Sequence, residues 1–389
     1  AVCVTGLIVQ DAATHFSALG QIVILALIQA GGLGIMTFSV SLAVLMRKPM
    51  DVRQRAALQD VLDHETLDGV RRLVRFIVLM TFGIELAGAL CLFVSWLPRF
   101  DNPFHAAYHA AFHAVSAFCN AGFSTFTDSL MQFRSDVATN VVICVLIVTG
   151  GLGFTVIRDL KKRRTPRRMR IQTKVVLTVT ATLIVAGTIL VFVTEQRGLL
   201  DGMTIRDGVL ASVFQSVTTR TAGFNTMDIG RLSSATLLVT MVLMFIGGSP
   251  GSTAGGIKTT TCGALWATVT GSLRSRTHAE LWSRTLPADV VLKAVAILCI
   301  SLAIVFAFAL ALLCVEDQPF LDLLFETISA FGTVGLSTGV TPTLTPAGKL
   351  LITALMFLGR LGPLTIAYAL VGRSTPARYK FAEERIMIG

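Results

Sequence analysis

Charge is scarce in this 389-residue sequence: Asp, Glu, Lys and Arg make up only 14% of it. A soluble globular domain carries roughly 25%, and a disordered chain combines high net charge with few apolar residues. Both classes are excluded. Paired cysteines are absent as well. Cys3, Cys91, Cys119, Cys144, Cys262, Cys299 and Cys314 form no Cys-x-x-Cys motif and mostly sit in apolar stretches. They are expected to be small buried residues rather than disulfide partners or metal ligands. No basic n-region precedes Ala1-Val2-Cys3-Val4, so these residues do not read as a signal peptide.

Long apolar runs are what the chain does have. Apolar residues make up 53% of it, mean hydropathy is +0.72, and runs occur near 19–46, 72–97, 137–157, 172–194, 235–270, 289–315 and 348–371. A helix of about 24 residues covers about 36 Å, enough to cross a hydrocarbon core of about 30 Å. Shorter segments near 104–118, 207–219 and 320–331 cannot span, and each ends in a Gly/Thr/Ser-rich stretch. They suit re-entrant helices, because unwound backbone at membrane depth must be buried in protein or face water. The expected class is all-α, a polytopic membrane protein.

The net charge of +10 comes from 33 basic and 23 acidic residues. The basic residues cluster in loops: Arg47, Lys48, Arg53 and Arg55; Arg158 to Arg170; Arg274, Arg276 and Arg284; and Arg373 to Arg385. This pattern marks the cytoplasmic side of a plasma membrane, bacterial by expectation, and points to a bilayer rather than nucleic acid. The re-entrant segments then lie on the outer side.

An internal repeat organises the chain. Val4-Thr5-Gly6-Leu7, Asn120-Ala121-Gly122-Phe123, Thr221-Ala222-Gly223-Phe224 and Thr333-Val334-Gly335-Leu336 are alike. Each is followed 24 to 28 positions later by a second glycine cluster, beginning at Gly31, Gly150, Gly247 and Gly359. Gly6, Gly122, Gly223 and Gly335 are separated by 116, 101 and 112 residues, a period of about 110. The units divide the chain into 1–70 (turn, second helix and cytoplasmic linker), 71–170, 171–286 and 287–389. The first unit lacks a first helix and a re-entrant helix, so the sequence is expected to be truncated at its beginning.

Four such units can surround an axis. Glycine lets the backbone approach an ion and align carbonyl oxygens, and rings of carbonyls replace a cation's hydration shell in potassium filters. Re-entrant helices entering from outside present their negative C-terminal ends to the same place. Any one glycine alone reads better as a packing residue; four in matching context favour a cation site.

These residues resemble the Trk/Ktr/HKT superfamily of potassium transporters, most closely its Ktr-type membrane subunit. The most specific pieces are Gln29 to Thr37, Thr219 to Asn225, Gly247 to Thr261 and Gly359 to Leu364. The resemblance implies four helix–pore loop–helix repeats around a pseudo-fourfold pore, with a filter at Val4, Thr5, Gly6, Asn120, Ala121, Gly122, Thr221, Ala222, Gly223, Thr333, Val334 and Gly335. In that family glycine at all four positions goes with potassium, and serine in the first repeat with sodium permeation. Potassium is thus the implied ion, with sodium open as a coupling or activating ion and no covalently bound cofactor. The flanking Thr5, Ala121, Ala222 and Val334 differ, which implies looser selectivity than in a symmetric channel. The resemblance also implies a homodimer bound to a cytosolic ring of nucleotide-binding (RCK-type) subunits.

Gly247, Gly248, Ser249, Pro250, Gly251, Ser252, Thr253, Ala254, Gly255 and Gly256 interrupt an apolar run and cannot continue a helix. The resemblance makes this loop an intramembrane gate. Arg360 stands inside the last apolar run, where a charge is costly and by default functional; it is expected to face the cavity and contact the loop. Lys258 is the weaker candidate for the same region. Residues 251–259 nearly match a phosphate-binding loop, but Ile257 separates Gly256 from Lys258 and no strand precedes them. His105, His109 and His113 recur every fourth residue without an acidic ligand, and packing is the better reading. The charged segment 51–75 and the basic run 158–174 read as solvated faces or docking sites for the regulatory ring. The rival functions are a non-conducting receptor or scaffold and a membrane metalloenzyme using the three histidines.

Overall fold

A computed structural model describes residues 1–34, 67–162, 169–276 and 278–362. The helices in chain order are α1 (Ala18–Gly32), α2 (Leu67–Trp96), α3 (Pro103–Phe118), α4 (Val137–Leu152), α5 (Phe154–Lys162), α6 (Ile171–Glu195), α7 (Ile205–Thr218), α8 (Ser234–Phe245), α9 (Thr259–Leu273), α10 (Ala288–Val315), α11 (Phe320–Gly332) and α12 (Pro346–Leu361). A two-residue hairpin, β1 (Glu280–Leu281) with β2 (Arg284–Thr285), was not expected from the sequence.

Helix starts follow local chemistry. Ser17, Thr204, Ser233 and Thr345 each cap a helix by accepting a backbone N–H two or three residues on, and Asn102 does the same before Pro103. Among the described residues, three segments are long and apolar enough to cross a bilayer: Val74–Arg99, Ile171–Glu195 and Ala288–Val315. The run read as one element near 137–157 is two helices bent by 95° at Gly153, whose φ of +89° ends α4. The expected helices near 19–46 and 348–371 are described only as far as Gly34 and Gly362.

Each long helix packs against the short one that follows it: α2 on α3, α6 on α7, α10 on α11. Their other faces are apolar yet exposed. Leu79, Phe82, Leu86, Leu90 and Val94 run down α2 at spacings of three and four residues, and Leu302, Phe306 and Leu310 do so on α10. A stripe of this kind belongs against lipid. It also corrects one expectation. Cys91, Cys299 and Cys314 are exposed on such helices, and of the seven free cysteines only Cys119 is buried. An apolar run does not distinguish the face toward lipid from the face toward protein, so burial could not be inferred from it.

Inside, the short helices are the buried ones. Phe112, Phe118, Phe214, Phe325 and Phe331 are all enclosed. At the C-terminal end of α2, Trp96 stacks on Phe133 at 4.9 Å and donates from Nε1 to Thr139 Oγ1 (2.8 Å), tying α2 to α4.

Candidate functional site

Helices α3, α7 and α11 end with no more than two residues left before the glycine turns, and the chain leaves α3 and α11 in the same way. Asn120 N donates to Ala117 O (3.1 Å) and Ala121 N to Ser116 O (2.8 Å); in α11, Thr333 N donates to Ala330 O (3.1 Å) and Val334 N to Ser329 O (2.9 Å). The dihedrals repeat in all four turns. Val4, Asn120, Thr221 and Thr333 have φ of +55°, +57°, +67° and +51°, and two residues on Gly6, Gly122, Gly223 and Gly335 have +80°, +71°, +78° and +95°. A β-branched residue with positive φ is a steric outlier that costs roughly 1–3 kcal/mol and persists only where its surroundings enforce it. Three of the four turns hold one.

The turns meet in cyclic order. A Cβ on Gly6 would lie 2.5 Å from Ala121 O, and one on Gly122 would lie 2.8 Å from Ala222 O. A Cβ on Gly223 would overlap Val334 O, and one on Gly335 would overlap Thr5 O. The residue before each glycine thus sends its carbonyl into the space that the preceding glycine leaves, and the fourth turn closes on the first. Glycine is required twice over, for its φ and for the missing side chain. Thr5, Ala121, Ala222 and Val334 are buried, and the Oγ1 atoms of Thr221 and Thr333 are buried without a hydrogen-bond partner.

The second glycine clusters lie against the same turns. A Cβ on Gly31, Gly150 or Gly359 would overlap the carbonyl oxygen of Val2, Phe118 or Phe331, each four residues before the turn glycine. The third repeat departs from the pattern. A Cβ on Gly247 would instead overlap Gly255 O, inside the 247–256 loop.

That loop is unwound from Ile246 to Lys258 and fastened to its neighbours through backbone atoms. Ser249 N donates to Gly151 O (3.0 Å), Thr253 N to Gly150 O (3.3 Å) and Phe154 N to Gly251 O (2.9 Å), while Thr253 Oγ1 donates to Phe118 O (3.2 Å). Within the loop Gly248 N donates to Gly255 O (3.3 Å), Ser252 Oγ to Ser249 O (2.7 Å) and Ser252 Oγ accepts from Ala254 N (3.3 Å). Gly251 and Gly256 have φ of +67° and +65°. A Cβ on Gly255 would overlap the Thr333 side chain, so loop and fourth turn touch. Lys258 Nζ donates to Ala254 O (2.8 Å), and Arg360 donates from its two terminal nitrogens to Thr253 O and Gly31 O. Two half-buried cations therefore hold carbonyl oxygens of the loop, and Arg360 also joins it to α1.

Known proteins resemble this chain closely. The family model TrkH, described as a cation transport protein, matches residues 1–374. The chain belongs to the TrkH family. It is 41% identical to the Ktr system potassium uptake protein B of Bacillus subtilis, over 95% of this chain and 83% of that protein. It is 39% identical to the potassium/sodium uptake protein NtpJ of Enterococcus hirae, over all of this chain and 88% of that protein. It shares its fold with the crystal structure of the potassium transporter TrkH from Vibrio parahaemolyticus, with a TM-score of 0.70 at 18% identity, over 96% of this chain and 76% of that one. This TrkH-family chain is thus a helical, multi-pass plasma-membrane cation transporter and not an enzyme.

Of the three histidines on α3 in this TrkH-family chain, His109 and His113 are engaged in packing. His113 is buried, with Nδ1 2.8 Å from His109 O and Nε2 2.9 Å from Ser124 Oγ, and its ring stacks on Phe126 at 4.7 Å. His109 Nδ1 lies 2.6 Å from Thr125 Oγ1, and His105 is exposed. Among the described residues no three His, Cys, Asp or Glu side chains gather around a common point.

Among the described residues, four buried glutamates escaped sequence reasoning. Glu85 on α2 accepts from Gln29 Nε2 (3.2 Å) and Cys119 Sγ (3.7 Å), behind the second turn. Glu195 accepts from Ser233 N (2.8 Å) and Glu316 from Thr345 N (3.0 Å), each stapling the end of a long helix to the cap of a later one. Glu326 lies on α11 and faces the segment after the fourth turn. For Glu85 the available signal was a lone acid inside an apolar segment, the same one that singled out Arg360. Residues 51–66, 163–168 and 363–389, which hold most of the expected docking segment, the core of the basic run and the tail, lie outside the described residues.

Proposed function

We propose that this chain is the ion-conducting subunit of a potassium uptake system and that its four glycine turns are the selectivity filter. The observation that carries this reading is the closed cycle of turns, in which each carbonyl before a glycine occupies the space of a missing side chain next door. Backbone oxygens packed so closely can replace a cation's water, and the ends of α3, α7 and α11 add the negative poles of three helix dipoles beside them. The four-repeat organisation is the simplest source of this geometry, since the same pair of positive-φ residues recurs in each turn.

Below the filter the 247–256 loop acts as the gate, and Arg360 and Lys258 hold it closed through its carbonyls. Displacing the loop opens the path, and a cytosolic nucleotide-binding ring acting on the cytoplasmic helix ends does the displacing. The family likeness suggests a homodimer in which each chain has its own pore. The B. subtilis relative is named a potassium uptake protein of a Ktr system and the E. hirae relative a potassium/sodium uptake protein. These names favour potassium as the main ion and leave sodium a second role.

The test is Gly223→Ser, with potassium and sodium uptake measured in cells lacking their own potassium uptake. The preference for potassium is expected to fall while the protein still reaches the membrane. An unchanged ratio in a normally inserted variant refutes the filter.

A further inference from the structure

The lips of the turns, just beyond the glycines, are held by different chemistry in each repeat. Nine residues before Gly122, Gly223 and Gly335 stand His113, Phe214 and Glu326; two residues after them stand Ser124, Asn225 and Ser337. In the second repeat His113 Nε2 meets Ser124 Oγ (2.9 Å). In the third, Phe214 has no polar atom to offer, and Asn225 is held from the loop of the second repeat: its N donates to Ser129 Oγ (3.1 Å) and its O accepts from Leu130 N (3.0 Å). In the fourth, Glu326 accepts from Ser337 Oγ (2.5 Å), Thr338 N (3.1 Å) and Thr341 Oγ1 (2.6 Å).

The fourth brace is the strongest. Glu326 is fully enclosed at 0% exposure, and all three of its partners donate to it. Bonds to a carboxylate are about twice as strong as neutral ones. The fourth turn also has close neighbours on two sides. Its glycine has the largest positive φ of the four, +95°, its backbone closes the cycle against Thr5, and Thr333 abuts Gly255 of the 247–256 loop. Gly335 N donates to Ser329 Oγ (3.1 Å), one helical turn beyond Glu326 on α11, so both flanks of the turn hang from that helix.

We propose that Glu326 is a positioning residue for ion discrimination: it clamps residues 337–341 to α11 and so keeps the carbonyls of the Thr333–Gly335 turn at the spacing that prefers one cation size. The inference rests on the filter reading above. A clamp of this kind acts on the turn rather than on the ion, because the carboxylate has spent its oxygens on protein donors. Its removal lets the lip widen, which lowers affinity for the preferred ion more than it lowers the maximum rate.

The experiment measures potassium and sodium flux into vesicles holding the full-length protein, for wild type, Glu326→Gln, Thr341→Val and Gly223→Ser. Glu326→Gln leaves one oxygen for three donors, and its KM for potassium is expected to rise about tenfold at little changed maximum rate, the worth of one charge-assisted hydrogen bond. Thr341→Val keeps the shape and removes one donor, with a rise of about threefold expected on the same scale. Wild-type KM and selectivity in both variants, alongside altered selectivity in Gly223→Ser, overturn the clamp and leave the filter standing. Unchanged selectivity in all three overturns the filter and the clamp with it. If Glu326→Gln fails to insert, Thr341→Val decides: a shift in the KM ratio supports the clamp, and a fall in rate alone refutes it.

Discussion

Removing the Arg360 guanidinium is the sharpest test of the gate. Arg360 donates to Thr253 O in the loop and to Gly31 O at the end of α1, and both bonds are charge-assisted. Such bonds contribute about 1.5–3 kcal/mol each, so Arg360→Ala withdraws at least about 3 kcal/mol from the closed position of the loop. That corresponds to a shift of about a hundredfold in the closed-to-open ratio, and the gain in flux is capped by how rarely the wild type opens. Arg360→Lys can keep one of the two contacts and is expected to raise flux about tenfold. The remaining anchors are uncharged or local: Ser249 N to Gly151 O, Thr253 N to Gly150 O, Phe154 N to Gly251 O, Thr253 Oγ1 to Phe118 O, and Lys258 Nζ to Ala254 O. The assay is potassium flux into vesicles without any regulatory subunit. Flux equal to wild type in a normally inserted Arg360→Ala protein refutes the tether. A rise in flux also follows from deleting a positive charge beside the ion path. Thr253→Val separates the two causes, because it breaks only the neutral bond to Phe118 O (3.2 Å) and leaves the charge in place. A tether predicts a rise of about fivefold for that variant; no rise assigns the Arg360 effect to charge alone.

Gly335→Ala forces a side chain onto Thr5 O at a φ of +95°, and is expected to abolish uptake and lower the amount of protein in membranes, read by transport and immunoblot. Glu316→Gln weakens the acceptor for Thr345 N and Thr345 Oγ1 at the C-terminal end of α10, and is expected to lower thermal stability by about 1–3 kcal/mol with the potassium-to-sodium ratio unchanged. A changed ratio in that variant means that buried acids act on selectivity without specific placement. His109→Ala loses a contact to Thr125 and stacking on Phe100, and uptake is expected to persist with and without a chelator; loss of uptake restored by a metal ion revives the metal-site reading.

Much of this transporter was legible along the chain. Short apolar length marked out α3, α7 and α11, which begin and end within a few residues of the segments expected near 104–118, 207–219 and 320–331. The 247–256 stretch could not stay helical with Pro250 and its glycines, and it does not. The second glycine clusters were visible as a spacing of 24 to 28 residues, but their purpose, close approach to the carbonyls of Val2, Phe118 and Phe331, was not. The bend at Gly153 was missed because hydropathy runs unbroken through it, and the exposed cysteines were misplaced because lipid and protein interior have the same polarity.

The sequence by itself determined which segments are too short to span, where the backbone must leave the helix, and that four turns share one chemistry. These are properties of helix length, of φ and of side-chain bulk, each local to a few residues. Only the tertiary structure decided that the four turns touch in a cycle, that Arg360 finds Gly31 across 329 residues of chain, and that Glu326 rather than Glu316 holds a turn. Those outcomes depend on which carbonyl arrives at which gap, and packing between distant segments settles that.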